Sequence, residues 1–373
     1  MTRPTRAVVD LSAVAHNFRL LRDRAGGATE VLPVVKADGY GHGAVPVARR
    51  LAVEGARRFA VALLEEGLAL RQGGISEDIL LLSSGDPADA ALLARERLLP
   101  ALWDVEQARA LAKAAGVAGA GPSRPLRVHL KLDTGMGRLG IRPADLPAMI
   151  GVLRQSTALS LAGTFTQFAS AEDPDSEATG RQVGEFEAAL SALRAGGVDP
   201  GLVHASNSAA VLAFPAARFD AVRPGIALYG VSPSEHLRDA ALSPALTLET
   251  RVLSVKRVPA GTALGYGGTF VTARTTTVAT LPIGYHDGFR RSLSGRSSVL
   301  LPGGKAPIVG AVSMDLTLAD ATDCGAEPGD RGVLLGREGG EEIGAWDLAR
   351  AAGTIPYEIL CGIGARVPRT YLP

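Results

Sequence analysis

Lys36 closes the apolar run Val31–Lys36, and desolvation at such a place favours the neutral amine that can form an imine with a carbonyl. Taken alone, it reads more readily as a strand-end lysine reaching to water. Other reactive types recur at comparable places. The run ending on Lys131 is followed by Asp133-Thr134-Gly135-Met136-Gly137-Arg138, whose glycines allow a tight turn that presents Arg138. His204-Ala205-Ser206-Asn207-Ser208 is a small-polar turn opening a helix, a ready anion site. Ser208, with the amides of Gly225 and Ile226 after Val222-Arg223-Pro224, forms a plausible phosphate cradle.

Arg223 carries the most specific chemical implication. An arginine keeps its proton, so against a pyridine nitrogen it would leave that nitrogen unprotonated and weaken the electron sink. A racemase gains from this, because a less stabilised carbanion is reprotonated quickly. An arginine capping strand-end carbonyls is the plain alternative. Racemisation also needs an acid/base on each face of Cα, and Tyr266, between Gly265 and Gly267, can be the partner of a lysine.

The elements that must position these groups follow from periodicity. Candidate strands are Val31–Lys36, Phe59–Ala62, Ile79–Leu82, Leu98–Leu102, Arg127–Lys131, Leu161–Phe165, Leu202–Ala205 and Asp220–Arg223. Helical patterns such as His42–Glu54, Val105–Ala115 and Ser176–Ala195 fall between them. Eight strand–helix units predict an α/β fold, a (β/α)8 TIM-type barrel over residues 10–236. Beyond it, Leu246–Val258, Thr275–Pro282, Ser297–Leu301, Ala306–Val312 and Gly332–Gly336 read as strands separated by Gly and Pro turns. They predict a smaller, mostly β domain over 237–373, with one helix at Ala345–Ala352 and with residues 1–9 pairing to it.

Composition narrows the function classes. A net charge of +1 without a basic, aromatic-interleaved stripe argues against nucleic acid. No run approaches the roughly 20 apolar residues of a membrane span. The N-terminal MTRPTRAVVDLSAV has no apolar h-region, and two cysteines, Cys324 and Cys361, make neither a disulfide framework nor a cysteine-rich metal site. The expectation is a cytoplasmic protein with no metal.

The motifs VVKADGYGHG, KLDTGMGRLG, HASNSAA, VRPGIALYG, GYGGT, SMD and TIPYEILCGIGARVPR, in this order, resemble those of alanine racemases over nearly the whole chain. The resemblance implies a pyridoxal 5'-phosphate enzyme of fold type III, a head-to-tail homodimer making D-alanine for peptidoglycan. Lys36 is then the Schiff-base lysine and one base, and Tyr266 the other, serving the partner's site together with Met314. Tyr40, Ser208, Gly225, Ile226 and Tyr357 match phosphate contacts, Asn207 belongs to the Ser208 turn, and Arg223 matches the pyridine-nitrogen partner. Arg138 and Met314 fall where the family binds the substrate carboxylate. Lys131 matches a lysine that carbamylation converts into a support for that arginine.

Four positions depart from the family pattern. Gln167 replaces a histidine beneath the cofactor ring and can hydrogen-bond there but not take up charge near neutral pH. Phe165 stands where a hydroxylated or bulkier residue is frequent, Ala311 where an arginine commonly lines the substrate's way in, and His286 where the residue is usually small. Ala311 and Gln167 motivate a second reading, the same cofactor chemistry on a bulkier amino acid in specialised metabolism. A non-catalytic cofactor carrier built on a lone barrel is the third, and the extra β domain and Tyr266 argue against it.

Overall fold

The computed structural model describes residues 3–173, 175–239 and 241–373, and its contacts divide the chain into two compact units. One comprises Val14–Gly39 and Ala44–Ser243; the other comprises Met1–Ala13, Tyr40–Gly43 and Pro244–Pro373.

Strand β1, Arg6–Asp10, opens the second unit, and the larger unit then contributes β2 (Glu30–Val31), β3 (Arg58–Val61), β4 (Asp78–Leu81), β5 (Leu98–Leu102), β6 (Leu126–Lys131), β7 (Leu159–Phe165), β8 (Leu202–His204) and β9 (Ala221–Val222). All neighbours pair in parallel in the order β2-β9-β8-β7-β6-β5-β4-β3. A bridge between Val34 and Ala60, with Val35 N–H donating to the Ala60 carbonyl at 2.9 Å, joins the two ends into a barrel. Helices including Ala44–Val53, Val105–Val117 and Glu177–Ala195 cross between strands. Burial explains the sequence pattern: β5 is buried at every residue, so it reads as a continuous apolar run.

Two predicted barrel strands keep half or less of their runs as regular strand. Residues 32–35 stay extended beside Val222 and Pro224, but Pro33 has no N–H for the ladder, and regular pairing stops at Val31. Lys36 therefore sits just past a strand, at the start of a turn. The Asp220–Arg223 run keeps only β9 as a regular strand, although the Arg223 N–H still donates to the Ser206 carbonyl at 2.7 Å.

In the second unit follow β10 (Leu246–Arg251), β11 (Ser254–Val258), β12 (Ala263–Leu264), β13 (Phe270–Val271), β14 (Thr276–Leu281), β15 (Ser298–Leu301), β16 (Gly304–Val309), β17 (Thr317–Asp320), β18 (Arg331–Glu338), β19 (Glu341–Ile343) and β20 (Arg369–Leu372). The main sheet runs β11-β14-β17-β16-β15-β18-β10-β1-β20, with β19 on β18. Strand β1 pairs antiparallel with β10 and parallel with β20. The run Leu246–Val258, predicted as one strand, breaks at Val252-Leu253: β10 pairs with β18 and β11 with β14. A helix at Ala345–Ala352 matches its prediction, and a second, Pro356–Cys361, starts on a proline, which lacks an N–H that the first turn would leave unpaired anyway. Among the described residues no helix is long and apolar enough to cross a membrane.

Candidate active site

The chain turns left-handed immediately after Lys36. Ala37 and Asp38, both at φ 51°, and Gly39 at φ 62° adopt a conformation that costs a side-chain-bearing residue roughly 1–2 kcal/mol. Fixed partners hold the turn. Glu66 Oε1 accepts the Ala37 N–H at 2.6 Å while its Oε2 accepts those of Ala62 and Leu63, and Asp38 Oδ1 accepts the Ala44 N–H at 2.8 Å. The half-buried Lys36 is thus mounted on a backbone locked by Glu66.

At the C-terminal ends of β6 to β9, basic groups crowd together. Lys131 is buried, its ammonium 3.4 Å from the Leu82 carbonyl and 5.6 Å from the Phe165 ring centroid. Burial, then the charges of Arg138, Arg223 and Lys36, lower its pKa to about 8, against the opposing pull of Asp133. The Asp133 carboxylate accepts the N–H groups of Gly135, Met136 and Gly137, shaping the loop that presents the exposed Arg138.

Arg223 is the most tightly specified of these groups. Its Nη1 donates to His204 Nδ1 at 2.7 Å, and its Nη2 donates to the carbonyls of Thr166 at 2.6 Å and Ala205 at 3.0 Å and, at 3.4 Å, to Gln167 Oε1. Its Nε has no partner among the described residues. Burial lowers the guanidinium pKa to about 9, still charged at neutrality. Because Arg223 can only donate, His204 Nδ1 must be unprotonated. The proton therefore sits on Nε2 and is donated to His129 Nδ1, 3.0 Å away. Phe165 stacks on His204 at 5.1 Å with 4° between planes, and its ring also faces Arg223 at 5.2 Å. A phenol at this position would need a partner where both neighbours are cations or a neutral imidazole; phenylalanine offers its π face instead.

Ser208 opens the helix Ser208–Ala213, with Asn207 as its cap through Oδ1 to the Ala210 N–H at 3.0 Å. The Ser208 hydroxyl accepts N–H groups from Gly225 at 2.8 Å and Ala227 at 3.3 Å. Ile226 begins the short 3-10 turn Ile226–Tyr229, and Ala227 rather than Ile226 supplies the second amide to the hydroxyl.

In the second unit, Tyr40 and the half-buried Tyr357 lie 6.1 Å apart, ring to ring. Arg369 donates to the Gly41 carbonyl at 3.0 Å and ties the Tyr40–Gly43 loop down. Tyr266 sits in the 265–269 turn between β12 and β13, a hairpin anchored by Leu264, packed with Val278 and Val309, and by Phe270. Gly265, Gly267 and Gly268, at φ 72°, 72° and 57°, make the turn possible and leave Tyr266 71% exposed. Beside it, the Gly310-Ala311 backbone approaches Gly265 so closely that a Cβ there would lie 3.2 Å from the Ala311 nitrogen. Met314, 50% exposed, follows on a loop clasped by Tyr285 N–H to the Ser313 carbonyl, His286 N–H to the Met314 carbonyl, and Arg366. His286 serves through its backbone, and its side chain is exposed.

The larger unit brings together Lys131, Gln167, Asn207, Ser208, Arg223, Gly225 and Ile226, with Lys36 and Arg138 close enough to act on Lys131. The other pairs Tyr40 with Tyr357 and sets Tyr266 beside the segment leading to Met314. Sequence reasoning missed His204, His129 and Glu66. The signal for His204 was present, a histidine ending an apolar strand just before Ala205-Ser206-Asn207-Ser208.

Family descriptions match both parts of the chain: "Alanine racemase, N-terminal domain" over residues 9–233 and "Alanine racemase, C-terminal domain" over 245–371. An alanine racemase of Symbiobacterium thermophilum is 46% identical over 371 residues, covering 99% of this chain and 97% of the relative. The crystal structure of alanine racemase from Bacillus anthracis with bound L-Ala-P superposes with a TM-score of 0.94 at 38% identity, over 100% of this chain and 96% of that one. Alanine racemase from Bartonella henselae with covalently bound pyridoxal phosphate gives 0.89 at 31% identity, over 99% of both. With both its parts matched and its full length aligned at this identity, the chain belongs to the alanine racemase family.

Proposed function

We propose that the chain interconverts L-alanine and D-alanine using pyridoxal 5'-phosphate held on Lys36. The observation that carries this reading is Arg223, whose guanidinium is fixed by His204 and two carbonyls while Nε keeps a donor to spare. The surrounding groups suit the cofactor. Ser208 and the Gly225 and Ile226 amides, with Tyr40 and Tyr357, would hold its phosphate; Asn207 caps the helix beneath, and Gln167 steadies Arg223. When bound, the cofactor withdraws electrons from Cα and makes its hydrogen removable.

The chain's own residues do the rest. Arg138 binds the substrate carboxylate by a bidentate fork, with Met314 lining the same place. Tyr266 and the Lys36 amine take and return the Cα proton from opposite faces. Lys131 fits a carbamylated support for Arg138: burial among cations favours its neutral amine, and adding carbon dioxide turns a repelling cation into an attracting anion. The exposure of Tyr266, Met314, Tyr285 and Leu316 suits a head-to-tail homodimer in which Tyr266 and Met314 serve the partner's site. We assign the reaction to the cytoplasm and its product to peptidoglycan, with residues 10–236 as cofactor domain and 237–373 as β domain.

Borohydride reduction followed by peptide mapping tests the assignment. The cofactor must be found on Lys36; attachment at another lysine, or none, contradicts it. Ala311 near the Tyr266 turn favours the second reading, a bulkier substrate, and a chiral screen of the common amino acids decides it. Turnover of a larger amino acid at least about tenfold faster than alanine would displace the first reading, a preference that about 1.4 kcal/mol of transition-state binding supplies.

A further inference from the structure

We infer that a second, unrelated site lies at the opposite end of the barrel strands and binds a small polyvalent phosphate. A cavity of about 500 Å³ opens at the N-terminal ends of β4, β5 and β6, away from the strand ends that carry Lys131, Gln167 and Arg223. Its lining includes Arg71, Arg95, Arg97, Arg124 and Arg127 against a single carboxylate, Asp78.

The existing ion pairs do not neutralise this group. Asp78 is held by Arg127 at 2.8 and 3.0 Å, with Arg58 3.6 Å away, and Arg95 pairs with Glu96 at 2.9 Å. Arg71 donates only to backbone carbonyls: those of Glu96 at 2.8 Å, Ile75 and Glu77 at 2.7 Å, and Arg97 at 2.9 Å. It is a rigid cation half-removed from water with no carboxylate bound to it. Arg97 and Arg124 make no side-chain hydrogen bond or ion pair among the described residues.

Two costs are left standing in this arrangement. Arg97 lies close enough to Arg71 that its charge, after burial, depresses the Arg71 guanidinium. Arg97 is also left-handed, at φ 52°, a strained conformation for a side-chain-bearing residue, and the Arg71 fork grips its carbonyl there. Asp78, Glu77 and Glu96 pull the Arg71 value the other way, yet the net shift stays downward and no carboxylate pairs with Arg97 or Arg124 among the described residues. A multiply charged oxyanion would offset both costs, since guanidinium forks match phosphate oxygens two at a time. The concave shape and the chain's net charge of +1 favour a small molecule over nucleic acid.

The test uses the protein loaded with pyridoxal phosphate, so that the cofactor's own phosphate cradle is filled, with pyrophosphate as the titrated probe. Calorimetry should show one saturable site per chain. Arg97→Gln and Arg124→Gln should each weaken it roughly tenfold or more, with racemisation in the absence of pyrophosphate unchanged. Arg97→Gly should raise Tm by relieving the left-handed residue while weakening pyrophosphate binding as much as Arg97→Gln does. Lack of saturable binding, or binding that survives the double substitution, overturns the site. Citrate binding as tightly as pyrophosphate overturns the phosphate assignment, and a lowered Tm in Arg97→Gly refutes the argument from strain. The readout is binding, so its failure is separable from a failure of the proposed racemisation.

Discussion

Acidification should weaken the fold through two histidines that never touch solvent. His129 and His204 are fully buried beneath Arg223. Burial, reinforced by Arg127 for His129 and by Arg223 for His204, holds His129 down at about 3 and His204 well below its ordinary 6.5. The native state therefore keeps both neutral while the unfolded chain takes up a proton on each below about 6.5. A depressed folded-state value means stability present above the unfolded pKa and lost as pH falls toward the folded one. Between pH 7 and pH 5 the loss is set almost wholly by the unfolded value. It comes to about 2 kcal/mol per histidine and about 4 kcal/mol for the pair. Carboxylates with lowered values, such as Asp287 and Glu249, act mostly below this window because their ordinary values are 3.8 and 4.5. Urea unfolding at matched protein concentration, repeated across the window, measures the slope. Replacing His129 by Gln should remove about half of it. An unchanged slope in that variant would refute the neutral pair, as would an imidazolium 15N signature at pH 5.

Three further perturbations separate the roles of individual groups. Tyr266→Phe should lower kcat by roughly 10²–10⁴-fold with the cofactor still bound, measured by racemisation rate and cofactor absorbance. Glu66→Gln exchanges a carboxylate oxygen among three backbone donors for an amide nitrogen and should cost roughly 1–3 kcal/mol, read by urea unfolding without cofactor. Removing bicarbonate should lower kcat/KM for alanine and restoring it should recover the loss, whereas a Lys131→Ala variant should be insensitive to both; intact-protein mass spectrometry of the native chain checks for the carbon dioxide adduct.

The barrel was legible because parallel strands buried on both faces leave apolar runs, and Lys131, Gln167, Ser208 and Arg223 lie at or just past the C-terminal ends of those strands. What periodicity could not carry was choice of partner. Leu246–Val258 reads as one strand-like run while its two halves pair with different strands, β18 and β14. The left-handed turn after Lys36 was half visible. Gly39, Gly41 and Gly43 announce unusual backbone, yet Ala37 and Asp38 adopt it too, held by Glu66 and by the Asp38 bond to Ala44. Local propensity opposes that conformation at Ala37, and Glu66, far along the chain, helps to impose it. His204 was hidden for a related reason: its chemistry lies in which ring nitrogen carries the proton, and Arg223 and His129 fix that from other strands.

The most direct measurement is the time course of enantiomers, by chiral chromatography, when the protein with pyridoxal phosphate is given pure L-alanine and, separately, pure D-alanine. Both solutions should converge on equal amounts of the two forms, because enantiomers have the same free energy, and Lys36→Ala should show no progress above background. Absence of interconversion in the native chain, or conversion of alanine to any product other than its enantiomer, would contradict the account.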